Sequence, residues 1–135
     1  MLFRSIDVKN ETTAVAYGVN NAGDIAVYAT NSSGTFDSFL YNGKTFKKIN
    51  DPKAKGTTGT VAHAPNNKGD VTGTYYDSDG NVHGWLLHAG KYYDVNDPKG
   101  ADDSRSDGIN DKLEMVGRYS TTLGGASIGF KATTK

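Results

Sequence analysis

Three histidines, fifteen acidic residues and eight tyrosines hold most of the chain's chemical capacity, yet few of them fall at spacings that a known chemistry requires. His83 and His88 are five apart, so in an extended strand their side chains face opposite sides and cannot share a zinc ion without ligands from elsewhere. Asp77, Asp79 and Asn81 alternate like the first oxygen ligands of a calcium loop. An EF-hand wants Gly at its sixth place and Glu at its twelfth; here Gly80 stands fourth and His88 twelfth, which reads as a solvated hairpin tip. Gly125-Ala126-Ser127-Ile128-Gly129 matches the string of a serine nucleophile elbow. That device needs an Asp and a His farther along the chain, and Phe130–Lys135 contain neither, so the string reads as a turn entering a strand. No metal set, cofactor motif or catalytic residue emerges from these strings.

Three further residues, Tyr17, His63 and Asp107, look unrelated until the chain is laid on itself. A shift of 46 residues places Asn20-Asn21-Ala22-Gly23-Asp24 on Asn66-Asn67-Lys68-Gly69-Asp70, Phe39 on Trp85, Phe46 on Tyr92 and Asn50-Asp51-Pro52-Lys53 on Asn96-Asp97-Pro98-Lys99. A further shift of 44 carries Asn66 to Asn110, Gly73 to Gly117 and Tyr75 to Tyr119, and one extra loop residue later Gly84-Trp85 falls on Gly129-Phe130. Strand-length runs recurring at this period signal a propeller or array. In the second copy the runs are Thr60 to Ala64, Asp70 to Tyr76, Val82 to His88 and Lys91 to Val95, separated by Asn, Asp and Gly turns. No run keeps a 3.6-residue period, so no helix is expected.

The expected fold is therefore all-β, with three four-stranded antiparallel β-propeller blades: residues 12–53, 57–99 and 103–135. The third lacks its fourth strand. Leu2 to Asp7 supplies a strand of the missing kind at the front, with Phe3 matching Phe46 and Tyr92, and Ile6 matching Ile49 and Val95. Propellers close with about four to eight blades, so three leave two open flanks. Two chains joined head to tail as a homodimer make a six-bladed ring, with residues 1–8 of each completing the third blade of the other. The alternative is a stretch of a longer array.

Gly18-Val19-Asn20-Asn21-Ala22-Gly23-Asp24, its second-copy variant, and His83-Gly84-Trp85-Leu86 resemble the HAF repeats of extracellular bacterial proteins, over nearly the whole chain. The copies depart from that pattern: Gly18 becomes Ala64, the His of His83-Gly84 becomes Asp37 and Ile128, and Gly69-Asp70 becomes Leu113-Glu114. The resemblance implies a propeller-like fold and an extracellular setting. It implies no activity and no catalytic residue.

Charge narrows the partners. Fifteen basic residues balance fifteen acidic ones, so no strong field recommends a nucleic acid or an anionic membrane. No apolar run reaches the roughly 20 residues of a membrane-spanning helix, and Met1 to Asn10 has no apolar centre like that of a secretory signal. Cysteine is absent, which removes disulfide and thiolate chemistry. Lys44, Lys47, Lys48, Lys53 and Lys55 cluster around one fourth strand and Asp94, Asp97, Asp102 and Asp103 around the next, as solvated charge or as a registering pair of patches.

In register, Tyr17, His63 and Asp107 occupy one place just before the Asn turn of each copy. First strands line a propeller's channel, so these groups either ring one mouth of it, where they would position or exchange protons with a ligand, or are unrelated, partly exposed strand-end residues. Tyr76, Tyr92 and Tyr93 are less symmetric and are candidate stacking faces for a sugar. Trp85, Phe39 and Phe130 recur in register, as do Tyr75 and Tyr119, and read as core. The leading expectation is a binding module, lectin-like for glycans or another small polar ligand. A structural or protein-interaction module and an enzyme at the channel are the alternatives.

Overall fold

The computed structural model describes residues 1–55 and 58–135. It is all-β, with eleven antiparallel strands in three sheets and no helix among the described residues. The first sheet holds β1 (Thr13–Val19), β2 (Ile25–Thr30), β3 (Phe36–Tyr41) and β4 (Phe46–Lys48) in meander order. The second repeats the order with β5 (Thr60–Pro65), β6 (Val71–Tyr76), β7 (Val82–His88) and β8 (Lys91–Asp94). The third has β9 (Ser104–Ile109), β10 (Glu114–Tyr119) and β11 (Ile128–Thr133). Strand bounds expected for the second copy hold to within a residue; its expected start at residue 57 lies outside the described residues.

The sheets meet face to face in chain order, twice by the same geometry. Phe36 bridges Gly59 in parallel at the first junction, and Val82 bridges Asp103 at the second. Ala26, Leu40 and Ile49 of the first sheet pack on Ala62, Val71, Tyr75 and Trp85 of the second. Leu86 and Val95 of the second pack on Met115, Ile109, Phe130 and Ala132 of the third. Trp85 is wholly buried, and Gly73 opposite it is what lets the indole cross the sheet. A Cβ on Gly73 would lie 2.8 Å from the Trp85 ring and would also strike the Val61 carbonyl. Gly117 admits Phe130 in the same way, at 2.9 Å.

The Asn turns do more than reverse the chain. Asn20 Nδ2 donates to the Asn66 carbonyl (2.9 Å), and Asn66 Nδ2 donates to the Asn110 carbonyl (3.2 Å). Beside them the Asn21 and Asn67 amides donate to Asn67 Oδ1 and Asp111 Oδ1, each at 2.8 Å. A polar ladder thus ties the three turns together with one direction, head to tail. The turn itself takes a left-handed residue, Gly23 (φ 88°), Gly69 (φ 83°) and then Leu113 (φ 59°). Leucine is disfavoured there, and its side chain is held against the Met115 cluster.

Residues 2–7 form no strand within the single chain. Leu2 and Phe3 are 96% and 89% exposed, while Ile6 and Val8 lie on the face of the first sheet made by Val27, Ala29 and Phe39. That places Ile6 against the first sheet as Ile49 lies against the second and Val95 against the third. Among the described residues no helix is long and apolar enough to cross a membrane.

Candidate functional site

Tyr17, His63 and Asp107 meet, and the backbone explains how. In each first strand the ladder slips by one residue at their position: Ala16 pairs Val27 and Gly18 pairs Ala26, Ala62 pairs Gly73 and Ala64 pairs Thr72, Ser106 pairs Gly117 and Gly108 pairs Val116. The residue left out of pairing is Tyr17, His63 or Asp107. Bulges of this kind re-aim a side chain and recur next to functional sites. Three of them, stacked in register, line up an aromatic ring, an imidazole and a carboxylate.

The contacts run along the row. The Tyr17 and His63 rings stand 4.7 Å apart at 37°. His63 Nδ1 lies 2.9 Å from the Ser106 carbonyl and 3.2 Å from Asp107 Oδ1. Both neighbours are acceptors, so Nδ1 carries a proton, and in the neutral tautomer Nε2 is the nitrogen with the lone pair. His63 is buried, whereas Tyr17 and Asp107 reach solvent. The hydrogen bond from His63 holds the Asp107 carboxyl below its usual range, outweighing the upward push of burial.

A cavity of about 170 Å³ opens beside the row, lined by Tyr17, His63, Tyr28, Thr74, Tyr76 and two arginines, Arg105 and Arg118. Tyr76, one of the expected stacking residues, therefore belongs to this site, and its hydroxyl accepts from Arg105 Nη1 at 3.3 Å. The other two tyrosines do not. Tyr92 is half-buried against the core, tilted over Trp85 at 5.9 Å, while Tyr93 points the other way from the same short strand and is exposed. Neither lines this cavity, and Tyr93 borders a separate one.

Sequence reasoning missed Arg105, Arg118 and Thr74. The signal was the same self-comparison taken two residues earlier: Val15, Val61 and Arg105 are in register, as are Tyr28, Thr74 and Arg118. In each sheet those two positions face each other across the first and second strands.

The remaining candidates are absorbed by structure. The Asp77 carboxylate accepts the Asp79 and Asn81 amides, the Asn81 side chain and His83 Nε2 (3.0 Å), so its oxygens are committed to the turn. His83 and His88 take different carboxylates, Asp77 and Asp70. Ser127 lies in the loop before β11, where Gly125 closes a turn on Thr122. Among the described residues no group of three or more His, Cys, Asp or Glu could hold a metal ion. Of the two charge patches, one contact joins sheets, Lys53 Nζ to Asp94 Oδ2 at 2.6 Å. No family model, curated protein or solved structure matches this chain.

Proposed function

We propose that the chain is half of a six-bladed β-propeller, closed head to tail by a second copy, and that it is an extracellular-type binding module. Its ligand is small and polar, with glycans the leading class, and it binds at the row of bulged residues. The observation that carries the reading is that row: three unlike polar side chains, each freed from its ladder at the same register, meet in a line, and two of them, Tyr17 and His63, line a cavity. Strand ends hold them rigidly, which favours binding with little ordering cost. The extracellular setting rests on the HAF resemblance.

Three features support the ring. Ile6 already covers the first sheet as a fourth-strand residue of a preceding sheet does. The Asn ladder has complementary ends, with an amide donor at Asn110 and a carbonyl at Asn20. A cavity of about 620 Å³, lined by Leu86, Val95, Leu113, Met115 and Phe130, runs along β11, where the second sheet has β8. Phe46 stands 6.0 Å from Phe39 and Tyr92 stands 5.9 Å from Trp85, so the Phe3 of a second copy is the residue that completes Phe130.

The test has two parts. Light scattering of the full chain should give twice the chain mass, and deletion of Met1–Asp7 should return it to one; a stable full-length monomer ends the ring proposal. Thermal shift over a panel of neutral and acidic sugars should find a binder whose effect His63→Ala removes. Silence across the panel with an intact dimer leaves a structural or protein-interaction module. The lone pair on His63 Nε2 gives the enzyme reading its only specific support, and sugar turnover lost with His63→Ala would establish it.

A further inference from the structure

We infer that the cavity beside His63 is a subsite for the carboxylate of an acidic saccharide. This rests on the binding reading above and adds the charge of the ligand.

Arg105 and Arg118 are directly opposed across β9 and β10. Like charges at opposed positions of an antiparallel pair destabilise it. The corresponding pairs in the other sheets are Val15 with Tyr28 and Val61 with Thr74, so the fold does not require cations there. Arg105 has Asp103 at 3.3 Å and Tyr76 at 3.3 Å, whereas Arg118 has no hydrogen-bonded or ion-paired side chain among the described residues. The Asp107 carboxylate is within electrostatic reach of both guanidiniums and offsets part of the repulsion; a further anion between them offsets more and takes the planar, two-pronged recognition that suits a carboxylate.

A second observation is independent of charge. Thr74 lines the same cavity, is 2% exposed, and its Oγ1 is buried without a hydrogen-bond partner. Buried hydroxyls in folded proteins are nearly always paired, so an orphan at a cavity wall calls for an explanation, and a polar atom of a ligand in the cavity supplies one. Thr74 can donate to a carboxylate oxygen or accept from a ring hydroxyl. Tyr28 and Tyr17 supply aromatic wall beside these polar groups, as a sugar ring requires. At about 170 Å³ the cavity is smaller than the roughly 300–1,000 Å³ that encloses a drug-sized molecule, so it takes one acidic ring or the acidic end of a chain.

Isothermal titration of the full-length protein with galacturonate, galactose and inorganic sulfate tests the inference. Galacturonate should bind at least about tenfold tighter than galactose, and Arg118→Gln should remove that preference. Arg118 is exposed, so the variant should fold; because it lifts the like-charge contact, it should melt no lower than the parent without ligand and lose the upward shift that galacturonate gives. Thr74→Val, which keeps shape and removes the hydroxyl, should weaken galacturonate while leaving the dimer intact. Equal affinity for the acidic and neutral sugars, or an unchanged preference in Arg118→Gln, overturns the carboxylate subsite while the polar-ligand reading stands. Sulfate binding without galacturonate binding overturns the saccharide assignment. Binding of none of the three probes overturns the subsite, and the broader sugar panel then decides the binding reading separately.

Discussion

β1 and β5 are the same strand in two settings. Both follow a linker, carry a bulge at the same register, end in an Asn turn and alternate small and larger residues: Val15, Tyr17 and Val19 in one, Val61, His63 and Pro65 in the other. Yet nearly every residue of β1 is exposed and nearly every residue of β5 is buried. The difference lies in the neighbours. β5 sits between the first and third sheets, while among the described residues the outer face of the first sheet is covered by Ile6 and Val8. A four-stranded meander of this kind cannot bury its own faces, so its stability is a property of the stack.

The sharpest test of that view is the in-register pair Trp85 and Phe39. Trp85→Ala removes the wholly buried ring at the first junction and should cost about 3–5 kcal/mol. Phe39→Ala should cost roughly half as much in dilute protein, because its cover is a single segment, and should approach the full amount where a second copy packs on it. Urea unfolding at two protein concentrations separates the cases. Equal and concentration-independent losses would show that the first sheet is already complete, and the comparison would break.

Ile49 and Ile6 probe the same asymmetry from the covering side. Ile49→Ala should cost about 2–5 kcal/mol, since the side chain is 2% exposed between two sheets. Ile6→Ala should cost less than about 1 kcal/mol in the single chain and should mainly weaken the dimer. Sedimentation at graded concentrations reads the second effect directly. An Ile6→Ala variant as unstable as Ile49→Ala, with no change in association, would mean that the segment belongs to its own chain.

These comparisons also mark what the sequence displays and what it hides. Strands and turns were legible because turn chemistry at Asn66 to Asp70 and Asp77 to Asn81 is local, and three copies in register reinforce it. That Tyr17, His63 and Asp107 share one register was legible for the same reason, and sheets that repeat stack equivalent positions; that their side chains touch was not, because contact depends on the bulges. The bulges were not, because nothing in Ala62-His63-Ala64 distinguishes an unpaired residue from an ordinary one. Arg105 and Arg118 stayed hidden because their in-register partners are apolar or neutral, so the pair shows no pattern until strand pairing sets one opposite the other. Tyr92 and Tyr93 were read together, but a strand sends adjacent side chains to opposite faces.

The Asn ladder gives a smaller, graded effect. Asn66 is buried and makes four side-chain hydrogen bonds, two to Asp70, one to Lys68 and one onward to Asn110. Asn110 is exposed, and its side-chain bonds stay within its own turn. Asn66→Ala should therefore cost about 2 kcal/mol and Asn110→Ala within about 1 kcal/mol, measured by thermal melting. If the ladder continues into a second copy, Asn110→Ala should in addition weaken the dimer. A purely local effect at both positions would confine the ladder to single turns.

The smallest difference separates the two sheets by where each keeps its carboxylate. In the second, Asp77 sits in the turn and accepts from His83 on β7; in the first, Asn31 holds the turn and Asp37 on β3 carries the charge, met by Lys48 at 2.8 Å. The His83 hydrogen bond, helped by Asn81, lowers the Asp77 carboxyl from 3.8 to about 2. Burial pushes Asp37 up, but Lys48, Asn50 and Asn31 together bring it below its usual range. Both carboxyls are depressed on folding, so each contributes stability that is fully present above the unfolded value near 3.8 and disappears as the pH falls through the folded one. Asp77→Asn recreates the residue that the first sheet has at this turn, but leaves His83 Nε2 without a charged acceptor. The variant should be modestly less stable than the parent at about pH 5 and should lose less on acidification to about pH 2, because one of the carboxyls depressed on folding is gone. Urea midpoints across that range read the slope. Parallel slopes for parent and variant would show that the His83 contact does not depress Asp77, and that the two sheets differ in sequence at this corner without differing in electrostatics.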